Sequence, residues 1–430
     1  MGERARRHSE KKNIFQRIGA WFMSLKGWQR GLLIALIVIV IVGIIAIGYV
    51  FSKLDMLNKV DIDEGNLSIV DMDGYANILL LGVDSRDMDN LQGTRSDAMI
   101  IVSINEETRD VKLISVYRDT YLKMGDTSTY DKITHACVYG GPEMTVRSLN
   151  QAMDLNISKF VVVNFKAVAD LVDAVGGIDV DVQQIEIQQL NKYARQTANN
   201  IGRKDYGIVK KAGLQTLDGC QAVSYSRIRK GVGDDYKRTE RMRTVIMAVF
   251  DKAKTMSWGK LDKIVDMMMP QVQTNLGNSD IIALAMRTPT YKINGSVGWP
   301  YNVSSGYIGK VSYVFPNNLE ANIVKLHQEV FMRTDFVASD TARSISNTIA
   351  ANIAAAKEDD NYKDKKDENL PQEELPSVDP TTPGPIEPTD PSGPTEPSQP
   401  TEPSDPSGPT EPTDPGTTEP TDPGTGTDTE

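Results

Sequence analysis

The chain contains one unbroken apolar run, which extends from Leu32 to Phe51 and reads LLIALIVIVIVGIIAIGYVF. About 20 residues at helical rise cross the roughly 30 Å hydrocarbon core of a bilayer. A helix buried in a protein core is the poorer interpretation, because no charged residue interrupts the run. A cleaved signal peptide would have a shorter apolar region and a small-residue cleavage site. The run therefore predicts a retained transmembrane helix over residues 32–51.

The charges on either side of the run predict its orientation. Eight basic residues precede it within residues 1–30, whereas six acidic residues and two lysines lie in residues 52–74. By the positive-inside rule, residues 1–31 form a cytoplasmic arm, and everything after residue 51 lies outside. We expect a single-pass membrane protein with an extracellular stalk over residues 52–74. A short basic arm beside a spanning helix is typical of contact with membrane lipid rather than nucleic acid.

Composition changes abruptly after Ala356, where the chain passes into Pro/Thr/Ser-rich repeats with almost no large apolar residue. Such a segment cannot bury enough surface to offset the entropy of ordering it. Residues 357–430 are therefore predicted to be a disordered acidic tail, preceded by a helical or irregular connector over residues 338–356. Of the formal net charge of −11, the tail carries −16 and residues 1–30 carry +6, which leaves the middle near −1. The acidity of the chain therefore does not argue against an anionic ligand in its middle part.

Residues 75–337 are predicted to form one α/β domain. Four runs rich in β-branched residues are typical of strands buried on both faces, and three amphipathic runs are typical of helices. The strands are ANILLLGV, AMIIVSI, VKLISVY and FVVVNF, and the helices are MTVRSLNQAMDL, KAVADLVDAVGG and TERMRTVIMAVFDKAK. Weaker patterns predict a helix from Ser279 to Met286 and a strand from Tyr291 to Pro300. Strands that alternate with helices indicate a sheet with helices on both faces.

Charged side chains stand at the ends of these strands. Asp84 and Arg86 directly follow the first strand, Asp97 precedes the second, and Arg118 ends the third. Open α/β sheets bind ligands at strand ends, so we expect these side chains at one end of the sheet. Carboxylates suit a hard divalent cation that also binds phosphates, and guanidinium groups fit phosphate oxygens. For each position alone, a turn aspartate or an internal Arg–Asp pair is the alternative.

Four more arginines form two pairs further along the chain. Arg227 and Arg229 are two residues apart in a strand-like context, so their side chains would project from one face. Arg238 and Arg241 are three apart at a predicted helix start and would also share a face. A helix that begins near Lys237 would add backbone amides and positive potential, which favour phosphate binding.

The remaining candidates leave alternatives open. Asp235, just before that helix, would orient an arginine, act as a base or cap the helix. His135 is more typical of a structural histidine than of a base. Cys137 and Cys220 would face an oxidising exterior and either pair or remain two buried small residues.

Several of these segments occur together in a known order. They are NILLLGVDSR, TRSDAMIIVSI, VYRDT, KITHA, LVDAVGGIDVDV, GLQTLDGCQAVSYSRIRK and DDYKRTERMR. From about Tyr75 to Phe250, the chain closely resembles the LytR-CpsA-Psr family of cell-wall glycopolymer ligases. The resemblance implies an α/β domain with a mixed central sheet flanked by helices and an apolar pocket for a polyprenyl chain.

The resemblance also implies an activity. Members of the family transfer anionic glycopolymers, such as teichoic acid or capsule, from a polyprenyl-pyrophosphate carrier to peptidoglycan. The product is a phosphodiester, and the cofactor is Mg²⁺, with Mn²⁺ as a substitute. The implied partners are the lipid-linked glycopolymer, peptidoglycan and membrane lipid, on the outer side of the cell membrane in a Gram-positive-type envelope.

Matched position by position, the resemblance assigns roles to the charged residues. Asp84 and Asp97 would hold the metal, and Arg118 would stabilise charge in catalysis. The sequence requires no strong base; from their placement, and not from the resemblance, Asp97 or Asp235 is a candidate to accept the hydroxyl proton. The pyrophosphate would be bound by Arg86, Arg118, Arg227, Arg229, Arg238 and Arg241.

The chain departs from the family pattern at a few positions. Tyr117 stands where the family commonly has proline, and Met242 and Arg243 replace glutamines. These changes bear on acceptor or polymer preference rather than on activity. Two other functions stay open at this point: a non-catalytic regulator that binds polyprenyl pyrophosphates, and a lipid pyrophosphatase.

Overall fold

A computed structural model describes residues 26, 48–85, 88, 91, 93–229, 234–358 and 370–378. Its strands are β1 Asn58–Lys59, β2 Tyr75–Val83, β3 Ser96–Asn105, β4 Asp110–Val116, β5 Tyr121–Lys123, β6 Tyr130–Lys132, β7 Lys159–Asn164, β8 Ile178–Val182, β9 Gly213–Leu217, β10 Val272–Thr274, β11 Lys292–Trp299, β12 Val303–Ile308 and β13 Val311–Pro316. Its helices are α1 Ala136–Met153, α2 Phe165–Ala174, α3 Ile187–Asn200, α4 Gly219–Ser226, α5 Asp234–Lys254, α6 Trp258–Met268, α7 Asn278–Arg287, α8 Leu319–Val330 and α9 Asp340–Lys357. Residues 48–54 are also helical.

Part of the predicted organisation lies outside the described residues. This applies to residues 32–47 of the predicted transmembrane helix, to most of the basic arm and to the tail beyond residue 378. Within the described ranges, no helix combines the length and the apolar composition needed to cross a membrane.

The centre of the fold is a seven-stranded mixed sheet in the order β1-β10-β7-β2-β3-β4-β11. The pairs β2/β3 and β3/β4 are antiparallel, whereas β7/β2 and β4/β11 are parallel. The four strands predicted from their apolar runs are confirmed as β2, β3, β4 and β7, and the weaker patterns are confirmed as α7 and β11. The α/β class with helices on both faces is therefore confirmed.

The two faces of the sheet are covered to different extents. Leu79 and Leu81 of β2 are fully buried in a core that also contains side chains of α1, α8 and α9. Ile78 and Leu80 point to the other face, where α5 and α7 pack, and they are only half-buried. Successive strand residues point to opposite faces, so this alternation marks one closed face and one partly open apolar face. The prediction of burial on both faces is therefore wrong for β2 and β7, which alternate, whereas consecutive residues of β3 and β4 are buried.

The flanking segments take part in the fold more than their composition indicates. In the predicted stalk, β1 pairs with β10, and Leu67 and Met72 are buried in the core. The predicted connector contains α9, which buries Ile345 and Ile349. The segment 370–378, within the predicted tail, lies along β12: the backbone N of Val303 donates to Pro371 O at 3.0 Å. These segments are polar on average, so their composition does not reveal the few apolar side chains that pack into the domain.

Candidate active site

The register of the sheet brings the charged strand ends together. Val83 at the end of β2 lies beside Ser96 at the start of the antiparallel strand β3, and beside Asn164 at the end of the parallel strand β7. The pairing shifts between Gly82 and Val83, which marks a bulge that redirects the chain before Asp84. A side chain at Gly82 would meet Ala98 Cβ at 2.9 Å, so glycine permits this close approach. The expected placement at one end of the sheet is thereby confirmed for Asp84, Asp97 and Arg118.

Asp97 is the centre of the charged cluster. Arg118 Nη1 donates to Asp97 Oδ1 at 2.6 Å, and Arg238 Nη2 donates to the Asp97 backbone O at 3.0 Å and lies 3.7 Å from Oδ2. Burial raises the pKa of the Asp97 carboxyl, but the charges of Arg238, Arg118 and Arg229 outweigh burial and lower that pKa. Asp97 is therefore an anion held among three guanidinium groups, and Arg229 is close enough to act on it through its charge.

A cavity of about 580 Å³ opens beside this cluster. The polar side chains that line it are Asp84, Thr94, Arg95, Asp97, Arg118, His135 and Tyr139. Asp84 is exposed and also borders a second cavity of about 220 Å³, whose lining includes Asn164 and Phe165. The two aspartates predicted as metal ligands thus face one hollow, and Asp84 lies where the two hollows meet.

Arg227 has a different environment from the arginines around Asp97. Arg227 follows α4, whose start is fixed by a capping box between Asp218 and Gln221, so its predicted strand-like context is wrong. Its guanidinium lies 5.1 Å from the ring centre of Phe165, beside the second cavity, and Nη1 donates to Thr197 Oγ1 at 3.1 Å. Asp218 followed three residues later by Gln221 signals the start of a helix. The prediction gave more weight to the spacing of the two arginines than to this signal.

Arg241 is bound inside the protein. Its Nε donates to Glu186 Oε1 at 2.7 Å, its Nη1 donates to Ile228 O at 3.2 Å, and both side chains of the ion pair are almost fully buried. Arg241 therefore supports the loop that carries Arg229 as well as being a predicted ligand of the pyrophosphate. Its role in binding pyrophosphate stays a prediction.

Several further predictions have different outcomes. Arg86 and the side chain of Asp235 lie outside the described residues. Cys137 and Cys220 are free and buried, so they are not paired with each other, and burial raises the pKa of each thiol to about 11. Arg243, which stands where the family pattern has glutamine, turns inward and donates from Nη1 to Val297 O at 3.3 Å.

Sequence reasoning overlooked Thr94, Arg95 and Tyr139 of the larger cavity and interpreted His135 as a structural residue. Arg95 stands two residues before Asp97 and is exposed, and His135 and Tyr139 come from the segment that leads into α1. Arg95 was detectable from its position at the start of β3. The side chain of His135 is one-fifth exposed, and its Nδ1 lies 2.8 Å from Asp131 Oδ2. Its position beside the strand ends depends on bonds from Thr134 to Ser96 O and Arg118 O, which no local pattern reveals.

The chain is similar to several known proteins. The model of the LytR_cpsA_psr family matches residues 50–329. The polyisoprenyl-teichoic acid–peptidoglycan teichoic acid transferase TagT of Bacillus subtilis is 30% identical over 328 residues, which cover 73% of this chain and 95% of that protein. An uncharacterised protein of Staphylococcus aureus is 34% identical over 235 residues, which cover 53% of this chain and 53% of that protein. A solved structure of a Streptococcus agalactiae protein is 29% identical, with a TM-score of 0.50, and the match covers 59% of this chain and 87% of that protein.

Proposed function

The chain belongs to the LytR-CpsA-Psr family, and from this membership we propose that it is a phosphotransferase that moves an anionic glycopolymer from a polyprenyl-pyrophosphate carrier to a peptidoglycan hydroxyl. TagT, which matches 73% of the chain, is named for the transfer of teichoic acid from a polyisoprenyl carrier to peptidoglycan. The observation that carries the proposal is the contact of Asp97 with Arg118 and Arg238 beside a cavity that Asp84 also lines. Teichoic acid and capsule are both candidate polymers.

The donor set fits a divalent cation. Mg²⁺ usually takes one or two protein carboxylates and completes its shell with substrate phosphates and water. Asp84 and Asp97 supply two carboxylates on one cavity, and Asp97 remains ionised because its pKa is lowered. We assign Mg²⁺, or Mn²⁺ in its place, to these two residues. When bound, the ion would neutralise charge on the phosphate oxygens.

The arginines of the cluster stabilise charge on the diphosphate. Transfer forms a bond between the acceptor oxygen and the phosphorus nearest the glycopolymer, and it breaks the bond from that phosphorus to the oxygen of polyprenyl phosphate. Negative charge accumulates on the leaving phosphate, and Arg118 lines the cavity, where it can receive this charge. Arg238 is buried 3.7 Å from Asp97 Oδ2 and adds positive charge beside the cavity. Because Asp97 and the strand ends hold these side chains in place before substrate arrives, little reorganisation is needed in the reaction.

The partly open face of the sheet supplies a place for the polyprenyl chain. Ile78 and Leu80 of β2 and Val102 of β3 are half-buried there, beside Met247 and Ile246 of α5. An apolar chain would complete the burial of these side chains, at roughly 25 cal/mol for each Å² removed from water. Methionine side chains adapt easily to a flexible apolar ligand. We therefore place the lipid between the sheet and α5, with its diphosphate at the strand ends.

The N-terminal contacts are consistent with a domain close to the bilayer. Tyr49 Oη donates to Asp262 Oδ1 at 2.6 Å, and Lys53 Nζ lies 3.2 Å from the same oxygen. Helix α6 is therefore joined to residues 48–54, which directly follow the greater part of the predicted transmembrane helix. We propose that the catalytic domain rests against the outer surface of the cell membrane, where a polyprenyl carrier is accessible.

One experiment tests the proposal. The purified protein is incubated with a short lipid-pyrophosphate-linked saccharide, MgCl₂ and peptidoglycan, and the products are analysed for a covalent phosphodiester. We expect this product, its loss with a chelator, and a fall of at least about 100-fold in kcat for Asp97→Asn. Asp126→Asn, which alters an exposed pair with Arg147 at 3.0 Å, is the matched control. Phosphate release without the adduct would indicate a pyrophosphatase, and carrier binding without turnover would indicate a regulator.

A further inference from the structure

We propose that His135 is the general base that accepts the proton of the acceptor hydroxyl, and that Asp131 is the residue that positions its ring. This inference rests on the proposed function, because it assigns the proton released when the hydroxyl oxygen bonds to phosphorus. The hydroxyl O–H bond breaks and the new O–P bond forms, while the P–O bond to polyprenyl phosphate breaks. The proton moves to His135 Nε2, and the electron pair of the broken P–O bond stays on the leaving phosphate.

Backbone contacts fix His135 at the reacting end of the sheet. The backbone N of Thr134 donates to Arg118 O at 3.0 Å, and Thr134 Oγ1 donates to Ser96 O at 2.8 Å. The residue before His135 is thus bonded to one strand end next to Asp97 and to Arg118 itself. As a result, the imidazole lines the same cavity as Asp84, Asp97 and Arg118.

The ring is oriented for proton acceptance. Nδ1 lies 2.8 Å from Asp131 Oδ2, and an ionised carboxylate can only accept, so Nδ1 carries the ring proton. This leaves the lone pair on Nε2, and no residue in the described ranges hydrogen-bonds that atom. A histidine whose second nitrogen is held by a carboxylate is the arrangement that makes imidazole an effective base.

Asp131 is itself held by several donors. Tyr139 Oη donates to Oδ2 at 2.6 Å, the backbone N of Lys132 donates to Oδ1 at 2.7 Å, and Tyr313 Oη donates to Oδ1 at 3.3 Å. Burial raises the pKa of Asp131, but the bonds from Tyr139, His135 and the Lys132 backbone lower it overall. Asp131 therefore stays ionised and keeps one orientation.

The carboxylates that would compete for the proton are less suitable. Asp97 has one oxygen bonded to Arg118 and the other 3.7 Å from Arg238, and it is assigned to the metal. Asp84 shares that assignment. The charged and titratable groups that face His135 are Asp84, Arg95, Asp97 and Arg118 across the cavity, Tyr139 one turn further on, Asp131 and Lys132 before it, and Tyr313 from β13.

The test measures kcat and KM against pH for the full-length wild type, His135→Gln, Asp131→Asn and Glu143→Gln. Glu143 is the matched control, because it forms an i,i+4 pair with Arg147 on α1 outside the cavity. We expect His135→Gln to lower kcat by about 10²- to 10⁴-fold with little change in KM for the lipid carrier. Its kcat should also lack the acid-side decline that we expect of the wild type. Asp131→Asn should lower kcat by a smaller factor, with KM for the lipid carrier unchanged, because the ring loses the carboxylate that orients it.

Two further measurements separate a catalytic role from a structural one. Carrier binding and thermal unfolding of each variant show whether the fold and the diphosphate site are intact, and imidazole in the buffer should restore part of the kcat of His135→Ala. A His135→Gln enzyme with kcat within threefold of wild type, or with transfer and carrier binding lost together, would overturn the proposal. If the wild type itself yields no phosphodiester, the proposed function fails. If the wild type is active but His135→Gln keeps its pH profile and imidazole does not restore His135→Ala, only the roles of His135 and Asp131 are overturned.

Discussion

The buried side chain of His327 makes the stability of this domain depend on pH. Its ring is stacked on Phe336 at a centroid distance of 3.6 Å, Nε2 donates to Met153 O at 2.9 Å, and the side chain is fully buried. Among the described residues, Nδ1 has no hydrogen-bond partner. Burial, followed by the charge of Arg333, lowers the pKa of His327 to about 3 from an ordinary value near 6.5.

The sign of the effect follows from these two values. Above pH 6.5 the imidazole is neutral in the folded and unfolded chains, and the full stability is present. As pH falls below 6.5, the imidazole takes up a proton in the unfolded chain but stays neutral in the folded chain, so the free energy of unfolding falls. The slope is about 1.4 kcal/mol per pH unit, which gives a loss of about 2 kcal/mol between pH 7 and pH 5. Any folded-state pKa below about 4 gives the same loss in this range.

The assay is urea unfolding followed by tryptophan fluorescence, for which the fully buried Trp299 is an intrinsic probe. His327→Gln keeps an amide donor for Met153 O but cannot titrate. We expect the variant to be about 2 kcal/mol less stable at pH 7, because it loses ring packing, and nearly as stable as the wild type at pH 5. Burial raises the pKa of Asp154, so its contribution to the free energy of unfolding increases as pH falls, opposite to that of His327. This contribution is present in both the wild type and the variant. Parallel stability curves from pH 7 to 5 would refute the reasoning.

Two further predictions concern contacts away from the cavity. Glu186→Gln should lower the free energy of unfolding by about 3 kcal/mol, because it removes the charge of one member of the buried Glu186–Arg241 pair; chemical unfolding checks this, and a change below about 0.5 kcal/mol would contradict it. A chain that ends at residue 369 should be about 2 kcal/mol less stable than one that ends at residue 378, because Leu370 and Leu375 pack on the domain. Equal melting temperatures of the two truncated chains would show that the segment 370–378 contributes nothing.

The strand pattern predicted the location of the site for a physical reason. The apolar runs identify β2, β3 and β4 without ambiguity, and antiparallel neighbours necessarily place the end of one strand beside the start of the next. Asp84, Asp97 and Arg118 therefore converge by backbone register alone. That convergence needs no knowledge of side-chain packing, but it depends on the pairing of neighbouring strands, which the apolar runs alone do not establish.

The partners of the charged side chains could not be predicted from the sequence, because they lie on segments far apart in the chain. Glu186 meets Arg241 across 55 residues, and Arg227 meets Phe165 and Thr197 through the packing of α2, α3 and α4. Binary patterning reports burial but not which buried charge pairs with which. The same limit applies to the predicted stalk, where Leu67 is fully buried although its neighbours are polar.

The contacts around Asp97 link activity to the backbone at this end of the sheet. Thr134 bonds the strand ends that carry Asp97 and Arg118 to the segment of His135, and Arg238 brings α5 to the Asp97 backbone. A substitution that shifts one strand end therefore moves the carboxylate, the guanidinium groups and the imidazole together. A substitution that only removes a charge or a proton acceptor leaves this backbone bonding in place. The first kind should lower turnover and melting temperature together, and the second kind should lower turnover alone, so a plot of one against the other sorts chemical from structural roles.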